Sequence, residues 1–297
     1  MIISDEKDVT RAAMAVMDQT TDPRLREIMR SAVRHLHAFV REVHLSEKEF
    51  QQATALVNEI GQASNDAHNE AVLMAGSLGI STLVCLVNNC NDDVTETQQS
   101  LLGPFWRMQS PRTESGGTIV RSSLDGPELF VDAKVIDQAG NPIADAEVDV
   151  WHSSPQGLYD NQDPNAAPMN LRGKFTTDAD GRIWFRTVKM SGYPIPTDGV
   201  VGKLLAAQNR HPYRPAHLHF LIYKQDFKTM ISQIYVRDDP NLDSDVQFGV
   251  THALVGDLTE HPEPHPTDPQ VRPPWFSLHQ TFVMRPGTAE LPRPPIT

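Results

Sequence analysis

Apolar residues recur every three or four positions along "DPRLREIMRSAVRHLHAFVREV", at Leu25, Ile28, Met29, Val33, Leu36, Phe39, Val40 and Val43. That spacing predicts an amphipathic helix. A second helix is expected over "SEKEFQQATALVNEIG", where Ser46 is followed three residues later by Glu49, the start of a capping box. A third is expected through "NEAVLMAGSLGISTLVCLVNN"; it is apolar on most sides, which predicts burial between domains or subunits. Near residue 99 the pattern changes. Proline and glycine become frequent, and "LFVDAKVID", "AEVDVWH", "GKFTT", "RIWFRTV", "AHLHFLIY", "ISQIYVR" and "SLHQTFVM" read as short strands. Turn signals such as "QAGNP" and "DADG" separate them. The chain is therefore expected to be mainly β: a helical region over 1–98, then a β-sandwich with long loops over 99–297.

Two further segments need a decision. The "DADG" at 178–181 resembles the opening of a calcium loop, but the later ligand positions are missing, so it reads as a hairpin turn. "HPEPHPTDPQVRPPWF" reads as an extended strap over the surface. No internal repeat is visible.

Composition narrows the class. The 297 residues suffice for one large domain or two ordinary ones, and a net charge of −12 argues against nonspecific nucleic-acid binding. The first residues lack a basic segment followed by an apolar core, and no stretch approaches the roughly 20 apolar residues of a membrane span. A cytoplasmic protein is expected. The two cysteines, Cys85 and Cys90, do not form a disulfide framework.

The chemistry concentrates in "RPAHLHF". Residues i and i+2 of a strand share a face, roughly 6–7 Å apart, so His217 and His219 point the same way. Two imidazoles so placed suit either one shared metal ion or a hydrogen-bonded pair in the core. His35, His37 and His44 lie on a polar helix, and His261 and His265 in the strap. For a third ligand, Asp226 is the first acid after the pair but falls in a turn. Of the five tyrosines, Tyr223 lies about 13 Å along the strand from His219, too far to share an ion. Tyr159 and Tyr193 sit in glycine- and proline-marked loops that can aim a side chain inward or simply pack it.

The stretches "VWHSSPQGLYD", "LRGKFTTDADGRIWFRTV", "SGYPIPTDG" and "NRHPYRPAHLHF" resemble the catalytic core of the intradiol ring-cleavage dioxygenases. "LLGPFWR" resembles that family's pocket-lining segment, and the helical third resembles its linker domain. The resemblance implies a non-haem Fe(III) held by Tyr159, Tyr193, His217 and His219. It implies catalytic roles for Arg214, Gln233 and Tyr193: Arg214 stabilises charge on the substrate, Gln233 orients, and the Tyr193 phenolate leaves the iron to accept a substrate proton. Two phenolates and one hydroxide neutralise a trivalent ion, which makes a buried site affordable. The substrates implied are a small aromatic diol or triol and O2. The linker domain implies a homodimer with a possible phospholipid at its interface.

"GYPIPTDGVVGKLL", "RHPYRPAHLHF" and "NLDSDVQFGV" look most like the hydroxyquinol-cleaving branch. Gly103, Pro104, Phe105, Ile195, Pro196 and Val250 are then expected to line the pocket. Cys85 stands about where that branch carries an acid, which keeps catechol and substituted catechols in play. Two other readings remain: a cupin-like ferrous or zinc site, and a transthyretin-like binding module, which "GNPIADAEVDVW" also resembles. The tyrosine pair separates them from the first, since a structural module has no use for two phenols aimed at a histidine strand.

Overall fold

The computed structural model describes residues 2–65, 68–89 and 96–295. Cys90 lies outside the described residues. The chain divides into two compact units, one ending at Glu59 and the other beginning at Ile60.

The first unit is helical. Helix α1 (Glu6–Met17) starts at Asp5, whose carboxylate accepts from the backbone N–H groups of Lys7 and Asp8. Helix α2 (Pro23–Glu42) has proline in its first turn and Asp22 as its cap. Thr10 of α1 meets His37 Nδ1 of α2 at 2.9 Å and accepts from Arg41 Nη1 at 3.0 Å. Helix α3 (Glu47–Ala63) opens with the expected capping box, Ser46 N–H donating to Glu49 Oε2 at 2.9 Å. The apolar stripe of α2 stays partly uncovered in the single chain, with Leu36 and Phe39 about half exposed or more.

The second unit carries the sandwich. The expected third helix is two, α4 (Glu70–Ser77) and α5 (Ile80–Asn89), bent by 74°. Gly79, at φ +72°, makes the break, because a left-handed residue cannot continue a right-handed helix. In the single chain α5 leaves Ile80, Leu83, Val84 and Val87 all more than half exposed. Among the described residues no single helix is long and apolar enough to cross a membrane.

The strands run β1 (Glu128–Asp137), β2 (Glu147–His152), β3 (Arg172–Thr176), β4 (Arg182–Val188), β5 (Tyr193–Pro194), β6 (Tyr213–Arg214), β7 (His217–Tyr223), β8 (Met230–Val236), β9 (Val255–Gly256), β10 (Thr259–His261) and β11 (Trp275–Met284). One sheet has the order β10-β11-β1-β4, the other β3-β2-β7-β8-β9, and β5-β6 form a separate ribbon. The core between the two sheets takes Val131, Val135, Ile183, Phe185 and Phe282 from the first and Val148, Val150, Leu218, Phe220 and Ile222 from the second. The alternation leaves His217, His219 and Leu221 on the other face of β7, which is also buried.

The turns follow local chemistry. Asp178 Oδ1 accepts from the N–H groups of Asp180 and Arg182, closing the expected turn at 178–181. The turn is not the expected hairpin: β3 and β4 belong to different sheets, and the chain crosses from one to the other there. The strap between β10 and β11 is pinned by aromatic stacking, His261 on Trp275 at 3.8 Å and His265 on Phe130 at 4.7 Å.

Helix α6 (Val200–Ala207) was not expected. Its cap position is Gly199, which has no side chain to offer. Glu70, fully buried at the start of α4, supplies the carboxylate instead: Oε1 accepts from Val201 N–H at 2.7 Å, and Oε2 lies 2.5 Å from His68 Nε2. The Glu70→Ala substitution is expected to destabilise the protein by about 1–3 kcal/mol, since a buried donor loses its partner. The check is a lower urea midpoint at unchanged slope.

Candidate active site

Strand register assembles the centre of the site. In the second sheet His219 stands opposite Trp151 of β2 on one side and Gln233 of β8 on the other, while His217 stands opposite Tyr235. In the β5–β6 ribbon Tyr193 pairs with Arg214, which brings the tyrosine loop to the start of the histidine strand. Tyr159 arrives from the loop after β2. Its Oη donates to Tyr193 Oη at 3.3 Å, and Tyr193 Oη lies 3.4 Å from His217 Nε2. His217 Nε2 and His219 Nε2 are 3.1 Å apart. All four side chains are at most 2 % exposed.

The donor set has a definite chemistry. His217 Nδ1 must carry its proton, because it donates to the Pro215 carbonyl at 2.7 Å; Nε2 therefore presents a lone pair. Three groups converge on that lone pair: Tyr193 Oη, His219 Nε2 and Arg214 Nη1, the last at 3.4 Å. One nitrogen lone pair accepts one good hydrogen bond, so protein groups alone leave the arrangement unbalanced. Oxygen and nitrogen atoms spaced by 3.1–3.4 Å are what a single cation with bonds of roughly 2 Å gathers around itself. Among the described residues no three His, Cys, Asp or Glu side chains are placed to share a metal; the oxygen atoms that lie beside this histidine pair are those of phenols. Asp226 is exposed in its turn.

Other expected residues fall in several places. Phe105 stacks on Tyr159 with ring centroids 4.4 Å apart and meets Tyr193 edge-on at 6.4 Å. Gly103, at φ +74°, passes so close to His219 that a Cβ there would lie 3.2 Å from His219 Cε1. Gly103 and Pro104 line a cavity of about 630 Å³. Ile195 packs with Leu73, Val201, Leu205 and Val246, and Pro196 lines a cavity shared with Phe105 and Gln162. Val250 and Cys85 face two other recesses, Val250 beside His211 and Phe248, Cys85 beside Ser100 and Thr251.

With this geometry in view, the comparisons with known proteins decide the family. The family model described as Dioxygenase matches residues 102–272, and the one described as Catechol dioxygenase N terminus matches 22–95. The chain belongs to the intradiol ring-cleavage dioxygenases. It is 39% identical over 254 residues to hydroxyquinol 1,2-dioxygenase of Rhizobium sp. (strain MTP-10005), covering 85% of each chain. It is 36% identical over 261 residues to an intradiol ring-cleavage dioxygenase of Aspergillus niger, covering 86% of this chain and 82% of that one. The crystal structure of hydroxyquinol 1,2-dioxygenase from Pseudomonas putida DLL-E4 superposes with a TM-score of 0.86 at 34% identity, over 95% of this chain and 99% of that one. Membership sets aside the binding-module reading.

In this dioxygenase two buried ion pairs brace the site, and the sequence alone had not singled out three of their members. Asp245 grips Arg214 with both oxygens, each at 3.1 Å. Arg214 Nη2 also donates to Tyr235 Oη at 2.6 Å, and Tyr235 donates to Gln233 Oε1 at 2.5 Å. Gln233 Nε2 in turn donates to the Leu101 carbonyl at 2.5 Å, tying the 101–105 segment to β8. On the other flank Arg172 donates to Asp160 at 2.5 Å and to the Phe105 carbonyl at 2.6 Å, with its guanidinium 5.9 Å from the Tyr159 ring centre. Asp160 follows Tyr159 directly, and Asp245 lies within "NLDSDVQFGV"; only partners distant in sequence mark either as special.

Burial governs protonation here. It pushes the Tyr159 phenol well above its ordinary value, with Tyr193 adding to the rise, and it raises Tyr193 against the pull of Arg214. It lowers His217 to about 3, assisted by Arg214, holds His219 well below the usual range, and lowers His152 to about 4. Burial of Asp149 works the other way, raising it to about 6. The unfolded chain therefore takes up protons on these histidines near pH 6.5 while the folded chain refuses them, so acid favours unfolding. Each imidazole kept neutral contributes roughly 2 kcal/mol of lost stability by pH 5, and Asp149 offsets part of it. Metal-free protein is expected to show a clearly lower urea midpoint at pH 5 than at pH 7.

Proposed function

We propose that this dioxygenase cleaves hydroxyquinol by O2 between its two vicinal hydroxyl-bearing carbons, giving maleylacetate, with Fe(III) held by Tyr159, Tyr193, His217 and His219. The observation that carries the reading is the convergence of those two phenol oxygens and two imidazole nitrogens in one dry site. A trivalent ion bound there acts as a Lewis acid that draws electron density from a chelated diol and opens its ring to O2.

The protein's own groups supply the rest. The two histidines are kept neutral by burial, so their lone pairs are available at any pH where the fold survives. Two phenol protons must leave for the ligand set to form, which makes iron uptake weaker in acid. Tyr193, held on the β5–β6 ribbon beside Arg214, has its Oη positioned to take one proton from the incoming diol. The Arg214 guanidinium, held by Asp245 and aimed at His217 Nε2, stabilises negative charge that develops on the substrate. Gln233 acts through Leu101 to orient the wall on which the ring rests. Phe105, Trp151 and Leu221 surround the ligands with apolar surface and keep water out.

Catechol or a substituted catechol, giving cis,cis-muconates, is the second reading. Similarity to catechol 1,2-dioxygenase of Candida albicans, 34% identical over 248 residues, supports it. The helical region, residues 1–98, is proposed as the dimer contact and as the place of a bound phospholipid. Leu36, Phe39, Phe50 and Val57, each half exposed or more in the single chain, support that. A cytoplasmic location belongs to the same proposal.

Visible spectroscopy tests the function. Aerobically purified, iron-loaded protein is expected to show a reddish tyrosinate-to-iron band that shifts on anaerobic addition of hydroxyquinol or catechol. Tyr159→Phe is expected to lose the band and ring cleavage together. A colourless protein with iron bound would sink the ligand set.

A further inference from the structure

The cavity of about 630 Å³ that meets the site at Gly103 and Pro104 is walled mostly by apolar groups, Leu73, Leu101 and Leu102 among them. One buried polar side chain breaks that wall. Gln247 is only 5 % exposed, and its Nε2 has no hydrogen-bond partner among the described residues. Its backbone is fixed: N–H donates to Asp245 Oδ1 at 3.1 Å, the same oxygen that accepts from Arg214 Nε. The side chain has a place made for it. A Cβ at Gly76 of α4 would fall 2.7 Å from Gln247 Cδ, so a glycine is what lets the carboxamide lie there.

An unpaired buried amide is costly, more so than an isosteric apolar residue would be. Such a group in an apolar wall is the kind that a bound polar partner satisfies. We propose that Gln247 is the specificity residue for the third substituent of the ring, pairing its carboxamide with a ring hydroxyl beyond the two that are cleaved. The assignment rests on the intradiol reading above and adds to it the feature that tells a triol from a diol. A hydroxyl both donates and accepts, so it matches the carboxamide in either orientation. The other polar groups of the cavity are less buried: Asn69 Oδ1 already caps α4 through Val72 N–H at 3.0 Å, Ser81 is half-buried, and Asn65 and Arg293 are exposed. Cys85 opens onto a separate recess with Thr82, Gln99 and Thr251.

A pocket that hydrogen-bonds a substrate hydroxyl discriminates against the analogue lacking it, whereas an apolar pocket separates the two poorly. The test is therefore a ratio. Gln247→Met keeps the length of the side chain and removes its hydrogen bonding; Gln247→Leu is the second variant. For each, kcat/KM is measured for hydroxyquinol and for catechol, with anaerobic spectral titration giving Kd for both. The expected result is a fall of about tenfold or more in the hydroxyquinol-to-catechol ratio, carried by KM and Kd more than by kcat. Equal losses on both substrates, or an unchanged ratio, would overturn the role of Gln247 while leaving intradiol cleavage standing. Wild-type protein that binds iron but cleaves neither compound would overturn the functional reading, and this assignment with it.

Discussion

Packing two phenol oxygens and two imidazole nitrogens in a chain of contacts of 3.1–3.4 Å, away from water, is the constraint on which this dioxygenase is built. Lone pairs at that spacing repel unless a proton or a cation stands between them. Burial keeps the imidazoles neutral and the phenols protonated, so the protein holds a neutral, poorly matched set of polar groups. A high positive charge is the partner that suits it best. The same desolvation that makes the set costly on its own strengthens its attraction to a cation.

The surrounding architecture meets the cost of holding that set in place. Strand β7 is covered on both faces: Leu218 and Phe220 close the space between the sheets, and His217 and His219 face the loops that carry Tyr159 and Tyr193. Cross-strand neighbours then become the supporting groups. Trp151 stacks on the His219 ring at 4.5 Å, and Tyr235 and Gln233 link Arg214 to the segment that shapes the cavity.

Two buried ion pairs, Arg214–Asp245 and Arg172–Asp160, flank the centre with side chains at most 2 % exposed. Buried pairs are poor sources of stability, because desolvating both charges roughly cancels their attraction. Their value is positional. One aims a guanidinium at the histidine ligand, and the other anchors the residue after Tyr159 together with the backbone of Phe105. Asp245 also holds Gln247, so the charge proposed to act on the substrate and the amide proposed to recognise it hang from one carboxylate.

Local features were legible from sequence because they depend on neighbours a few residues away. The helical stripe of α2, the Ser46–Glu49 cap, the Asp178 turn, and the shared face of His217 and His219 all follow from spacing. The family resemblance implied the set of Tyr159, Tyr193, His217 and His219, which spacing left open. The break at Gly79 was also local, yet the apolar run around it masked the glycine, and helix α6 was hidden because its cap comes from Glu70, 131 residues before Val201. Only the tertiary structure decided which residues meet: the Tyr159–Tyr193 contact, the Asp245 grip on Arg214, and the cavity placing Gln247 beside Gly103. Such meetings depend on strand register and loop path, and many chain routes are compatible with the same one-dimensional pattern.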